Sequence, residues 1–266
     1  MPTPLPETTV RLDGQVAIVT GGTRGIGAGI ATALLEAGCE VVVCGRSEPA
    51  ELPTGGGRVA LFMACDVRKH EAVNTLVDAV GERFGHIDIL VNNAGGSPPA
   101  DASTASPRFS ESIVALNLMA PIHMSQAVSR RMKQQPSGGS IVNIASVSAL
   151  RPSPGTAVYG AAKAGLLGLT RSLAAEWGPQ IRVNAIVVGL VDTESEALPY
   201  GSVEARDAIA ASLPAKRMGH PSDIANAVIY LSSPMATYVS GATLEVHGGG
   251  ERPIFLDLVE RYSKSS

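Results

Sequence analysis

Short apolar runs recur along the chain: VAIVT (16–20), VVVC (41–44), ALFMAC (60–65), IDILVN (87–92), IVNIA (141–145), IRVNAIVV (181–188) and TLEV (243–246). Most are near-continuous, the pattern of strands covered on both faces. Between them apolar residues return at helical spacing. Ile26, Ile30, Leu34 and Ala37 share one face; Val73, Leu76 or Val77, and Val80 share another; Leu166, Leu169 and Leu173 share a third. Strand–helix alternation predicts a mostly parallel sheet with helices on both faces. Seven strands without a break in composition, and no internal repeat, predict a single doubly wound α/β domain over 12–250. Residues 1–11 read as a flexible leader and 251–266 as a C-terminal tail. Gly and Pro cluster at 49–57, 97–107, 136–139 and 151–155, the predicted loops. The stretch 193–221 is the longest without a strand and predicts a substrate lid, helical in parts.

Composition narrows the classes. The 266 residues are 45% hydrophobic and 17% charged, enough for a packed core and unlike a disordered chain. Net charge is -3 and aromatics are 4%, which argues against a nucleic-acid partner. Cys39, Cys44 and Cys65 lack CxxC spacing, so they imply neither a metal site nor a disulfide framework. They read as core thiols of a reducing compartment. The first residues carry no basic start or apolar stretch of a secretory signal. No apolar run reaches the ~18 residues of a membrane helix. The expectation is a cytoplasmic protein with no membrane partner.

The first chemical signal follows the first strand. In TGGTRGIGAGIATALLEAG, glycines fall at 21, 25 and 27, between a buried strand and an amphipathic helix. Glycines there permit a tight turn and close backbone approach, while a helix N-terminus faces the anion. This predicts dinucleotide binding by Gly21, Thr23, Arg24, Gly25, Ile26 and Gly27. NNAGG follows the fourth strand, so Asn93, Ala94 and Gly95 stand beside the ligand crevice, with Asn93 and Gly95 facing the cofactor ribose.

VYGAAKAGL puts Tyr159 and Lys163 four apart, on one helical face. A phenol titrates near ~10, and a nearby ammonium favours the phenolate, so the pair predicts a proton donor or acceptor. Ser146 ends the fifth strand thirteen residues earlier. It reads either as a turn former, as Ser148 does, or as the hydroxyl that holds the substrate oxygen. No His/Asp pair or glycine-flanked elbow makes it a nucleophile. Asn117, in the apolar run IVALNLMAP, either bonds locally or holds a water beside Lys163.

Asn117, Ser146, Tyr159 and Lys163, with TGGTRGIG and NNAG, resemble the short-chain dehydrogenase/reductase family over residues 12 to 250. Within its single-domain branch the chain is most similar to 3-oxoacyl-carrier-protein reductases. The resemblance implies a Rossmann-like fold, a nicotinamide cofactor, and hydride transfer between that cofactor and a carbonyl or alcohol substrate. It implies that Tyr159 exchanges the proton, Ser146 fixes the oxygen, Lys163 also holds the nicotinamide ribose, and Asn117 supports a proton path. It adds Asp66 and Val67 at the adenine, and Val191 and Thr193 at the carboxamide. Relatives form homo-oligomers, tetramers or dimers, through helices corresponding to 109–133 and 157–177. Two positions depart from the pattern: Val188 stands where the family has proline before Gly189, and Ala120 where glycine is frequent.

The second strand ends differently from an NAD site, where an acid about 20 residues after the glycines holds the ribose. Here Gly45 occupies that place and Arg46 and Ser47 follow. Arg46, Arg24 and Ser47 predict a clamp for a 2′-phosphate, hence NADP(H) before NAD(H). The alternatives are an NAD-preferring secondary alcohol or steroid-type dehydrogenase, and a nucleotide-sensing protein without turnover. An extended-branch epimerase has a larger C-terminal domain than this chain leaves room for. In the tail, Ile254, Phe255, Leu258 and Val259 predict one apolar face that packs on a neighbouring subunit.

Overall fold

The computed structural model describes residues 10–193 and 200–263. Most of the predicted leader, residues 194–199 of the predicted lid and the last three tail residues lie outside the described residues. In chain order the elements are β1 (Val16–Thr20), α1 (Gly25–Glu36), β2 (Glu40–Gly45), β3 (Thr54–Gly55), β4 (Arg58–Val59), β5 (Leu61–Ala64), α2 (His70–Phe84), β6 (Ile89–Asn92), α3 (Pro107–Val114), a π-helical turn (Ala115–Met119), α4 (Ala120–Met132), β7 (Gly139–Ile144), a 3₁₀ turn (Val147–Ala149), α5 (Ala157–Trp177), β8 (Ile181–Val188), α6 (Val203–Ser212), α7 (Pro221–Ser232), a second 3₁₀ turn (Pro234–Ala236), β9 (Thr243–Val246) and α8 (Ile254–Ser263).

Seven strands form one sheet in the order β5-β2-β1-β6-β7-β8-β9, and every pair is parallel. The chain leaves β1 on one side through β2 and β5, then returns to β6 on the other. Connections therefore diverge between β1 and β6, and a crevice opens at their carboxyl ends. This is the doubly wound architecture that the apolar runs predict.

Alternation along β1 divides the core. Ala17 and Val19 pack with Ile30 and Leu34 of α1 and with Ile224, Val228 and Leu231 of α7. Val16 and Ile18 pack with Val77 and Val80 of α2 and Met124 and Val128 of α4. Each such side chain contributes about 1.5–3 kcal/mol when removed from water. A Cβ on Gly29 would lie 2.5 Å from Pro221 Cβ, so α1 and α7 approach closely only because that position is bare.

Two segments differ from expectation. From the predicted loop 49–57 into residues 58–59 the chain forms the hairpin β3–β4, with Thr54 opposite Val59. Gly56 and Gly57 supply the left-handed φ values, 56° and 73°, that a two-residue hairpin turn requires. The predicted lid contains α6, but α7 begins at Pro221 and belongs to the core. Among the described residues no helix is long and apolar enough to cross a membrane, and no group of three or more His, Cys, Asp or Glu could hold a metal ion. All three cysteines are free and buried.

Candidate active site

The glycine loop is built by crowding. A Cβ on Gly27 would lie 2.2 Å from Gly21 O and 2.5 Å from Asn93 Nδ2; one on Gly22 would meet Val43 Cγ1 at 2.6 Å. Gly21 and Gly25 have φ of 62° and 53°. Asn93 Nδ2 donates to Thr20 O at 2.9 Å and Gly21 O at 3.1 Å. Its amide protons therefore tie β6 to the loop. Thr20 completes the joint: its Oγ1 accepts the N–H groups of Asn93 and Ala94, both at 3.0 Å. The sequence reading missed Thr20, although a polar residue closing the buried run VAIVT was a signal.

Asn117 lies fully buried in the π-helical turn. Its Nδ2 donates to Ile113 O and Gly96 O, and its Oδ1 accepts Gly96 N–H, all at 2.9 Å. Ile113 O is the acceptor that an α-helix would give to Asn117's own N–H, so the side chain and the π register belong together. These are the local bonds of the first reading of Asn117. A Cβ on Gly95 would lie 2.8 Å from Asn117 Oδ1 and 3.2 Å from Lys163 Nζ, so Gly95 leaves room for both.

Lys163 is only 3% exposed, and its Nζ donates to Ile144 O at 2.7 Å. Burial pulls its ammonium down to about 8. Nζ stands 5.7 Å from the Tyr159 ring centroid. The Tyr159 phenol nevertheless sits above its ordinary value: burial raises it most, and the Ser146 hydrogen bond works in the other direction. The downward shift expected from Lys163 is thus overturned by desolvation. Ser146 also accepts Ser148 N–H at 3.2 Å, the bond of a turn former.

At the other end of the crevice, Arg24, Arg46 and Ser47 are exposed, and neither arginine side chain has a hydrogen bond or ion pair among the described residues. Arg24 is the extended residue capping α1. A Cβ on Gly45 would stand 3.9 Å from Thr23 Oγ1, which sets the glycine loop beside the end of β2. Asp66 is engaged elsewhere: Arg68 binds both its oxygens at 2.8 and 2.7 Å and holds it down at about 2. Its expected adenine contact competes with this pair. Val67 is buried in the core, Ile26 packs against the α1–α7 side, and Val191 is buried and bridges to Gly219. Thr193 returns to the glycine loop, 3.5 Å from a Cβ on Gly25. A Cβ on Gly189 would lie 2.6 Å from His247 Cβ, so the loop after β8 is confined even with Val188 before it.

A family profile described as "Enoyl-(Acyl carrier protein) reductase" matches residues 21–251. The chain belongs to the short-chain dehydrogenase/reductase family. This short-chain dehydrogenase/reductase is 38% identical over 242 residues to a 2-dehydro-3-deoxy-D-gluconate 5-dehydrogenase of Escherichia coli (strain K12), covering 90% of this chain and 96% of that one. It is 37% identical to a 3-oxoacyl-(acyl-carrier-protein) reductase of Vibrio cholerae, covering 90% and 98%. The ligand-free structure of Thermoplasma acidophilum aldohexose dehydrogenase is similar with a TM-score of 0.82 and 30% identity, over 90% of this chain and 94% of that one. It is therefore an oxidoreductase of the class acting on alcohol and carbonyl groups, and the family uses NAD(P)(H).

The residues of this short-chain dehydrogenase/reductase fit such a cofactor. The glycine loop leaves a bare backbone cradle at the N-terminus of α1, and Gly45 leaves the end of β2 without a side chain. The outer rim is polar. Arg151 contacts both Glu251 oxygens, each at 2.6 Å, and so links the β7–α5 loop to the tail. Ser148, Ser153 and Thr156 form a hydroxyl chain with spacings of 3.1 and 2.6 Å. Tyr200, another residue the sequence reading passed over, lies near enough to raise the Tyr159 phenol. Its own phenol is raised first by burial, then by Asp192 and Glu251. Arg206 of α6 pairs with Asp192 and fastens the lid to the end of β8.

Proposed function

We propose that this enzyme is an NADP(H)-preferring carbonyl reductase in which Tyr159 delivers the proton. The observation that carries the reading is the buried Lys163 ammonium, which donates to Ile144 O at 2.7 Å and stands 5.7 Å from the Tyr159 ring one helical turn away, at the crevice end of the sheet. When bound, the nicotinamide supplies the hydride. Ser146 fixes the substrate oxygen. A phenol carries its proton at neutral pH even at its ordinary value of about 10, and burial moves Tyr159 further in that direction, so it donates to the oxygen as the carbonyl is reduced. In the reverse direction the phenol must first lose that proton, so alcohol oxidation rises with pH. Lys163 and Asn117 hold the far side of the site, with Lys163 within reach of the ribose and Asn117 supporting the path by which Tyr159 is reprotonated. Val191 and Thr193 face the carboxamide, and Asp66 and Val67 flank the adenine. Arg24, Arg46 and Ser47 bind the 2′-phosphate.

For substrate we favour a 3-oxoacyl thioester, as the Vibrio cholerae relative's name states for that protein. A second reading, a short hydroxylated carbonyl compound, is favoured by the Arg151–Glu251 pair and the Ser148–Ser153–Thr156 hydroxyls at the rim. The enzyme assembles as a homotetramer or homodimer through α4 and α5; the exposed Ala161, Ala164 and Gly165 of α5 permit close helix approach. Buried free thiols suit the reducing cytoplasm.

The test is NADPH oxidation with acetoacetyl thioesters, ketoses and simple ketones, for wild type and Tyr159→Phe. The variant is expected to bind NADPH normally and to lose at least about 100-fold in kcat. Turnover near wild type in Tyr159→Phe removes the catalytic assignment.

A further inference from the structure

A directed chain of buried polar groups runs behind the site, and the proton donor does not touch it. Asn92 of β6 spends both amide N–H groups, on Ser125 Oγ at 3.1 Å and on Asn143 Oδ1 at 2.8 Å. With its oxygen engaged, the Asn143 amide on β7 turns its Nδ2 to Thr170 Oγ1 of α5 at 2.9 Å. Thr170 passes its own proton to Leu166 O at 2.8 Å. Asn92 is 2% exposed and Ser125, Asn143 and Thr170 are 0%. Apolar residues of equal volume would pack this space; what the amides and hydroxyl add is direction, because each donor has one acceptor in reach.

The placement of the two ends gives the chain a use. Residues 143 and 144 of β7 grip α5 twice: Ile144 O takes Lys163 Nζ at 2.7 Å, and Asn143 takes Thr170. Lys163 and Thr170 are seven residues apart, about 10 Å along one helix face. Two grips so spaced on one rigid strand fix how far α5 slides along the sheet. The same strand continues to Ser146, and the same helix carries Tyr159. At the other end, Asn92 precedes Asn93, whose amide holds Thr20 and Gly21 of the glycine loop.

We propose that Thr170 and Asn143 are positioning residues that set the register of α5 on β7, and through it the alignment of Tyr159 with Ser146 and with the glycine loop. The proposal rests on the catalytic reading above. Neither side chain touches substrate or cofactor. A displacement of about 1 Å between reacting groups is enough to lower turnover about 100-fold.

Thr170→Val keeps the volume and removes the acceptor; Thr170→Ser keeps the hydroxyl. Three readouts separate positioning from stability: kcat against KM for NADPH, the melting temperature, and the ionisation midpoint of Tyr159. The last is measured in the cofactor-free protein by ultraviolet difference titration referenced to Tyr159→Phe. For Thr170→Val we expect kcat about tenfold lower or more, KM for NADPH within about twofold of wild type, and a Tyr159 midpoint moved upward by about half a pH unit. Thr170→Ser is expected to restore both. A Thr170→Val protein that loses melting temperature alone, with kcat and midpoint unchanged, overturns the proposal, and so does a Ser variant as impaired as Val. If Val does not fold, Thr170→Ala is read by the same criteria. Turnover retained by Tyr159→Phe marks failure of the catalytic reading instead, because the midpoint shift in Thr170→Val does not depend on turnover.

Discussion

Arg46 stands free where β2 ends, and Gly45 before it neither bonds nor repels a ligand. A charged hydrogen bond of about 1.5–3 kcal/mol corresponds to roughly 10- to 100-fold in affinity. Arg46→Ala is expected to lower kcat/KM for NADPH by that factor and leave NADH unchanged; equal efficiency with both cofactors in the wild type sinks the clamp. Lys163 gives a pH signature. Its ordinary value is 10.5, and folding lowers it to about 8. Between those values the unfolded chain binds more protons, so this residue's contribution to stability rises as pH climbs through the window. Below about 8 the folded protein holds a buried charge at full cost, on the order of 3 kcal/mol before its bond to Ile144 O is counted. Lys163→Met is therefore expected to abolish turnover yet melt a few degrees higher at pH 7, with the difference gone near pH 10; thermal scans at the two pH values check it. Residue spacing displayed the Tyr159–Lys163 pair. It did not display the direction of the phenol's shift, because burial is a property of the neighbours.

At the scale of elements, the loop between β1 and α1 depends on one absent side chain. Gly27→Ala places a methyl group 2.2 Å from Gly21 O, a backbone atom held by Asn93. We expect loss of NADPH binding by at least about 100-fold in a fluorescence titration, together with a lower melting temperature. Gly168→Ala is the control. Nothing lies within 4 Å of a Cβ there, and replacing a helical glycine gains about 0.5–1 kcal/mol. If both variants bind NADPH alike, crowding is not what requires Gly27. The strands were legible because continuous apolar runs mark sheets covered on both faces. The β3–β4 hairpin was not, since two residues per strand are too few for a period. The predicted lid ends at 221, where α7 begins, but the place of α7 in the core follows only from contact with α1.

At the scale of the whole molecule, α8 leaves the domain with its apolar residues uncovered: Ile254 is 75% exposed, Phe255 60%, Val259 58% and Tyr262 70%. Arg252 ties its first turns together by pairing with Asp257 and Glu260. We expect the helix to cover a neighbouring subunit, so deleting 252–266 should reduce the assembled mass in light scattering and raise KM. Unchanged mass and KM reject that role. The sequence alone determined the class of fold and the glycine loop, because periodicity and local spacing are written along the chain, and resemblance to the family singled out Asn117, Ser146, Tyr159 and Lys163. The tertiary structure alone decided the strand order that opens the crevice between β1 and β6. It also decided the bonds from Asn93 to the glycine loop and the Asn92–Asn143–Thr170 chain behind the site. Those depend on which residues distant in sequence share one dry, crowded space. There each donor must find an acceptor, and no local pattern records which one it finds.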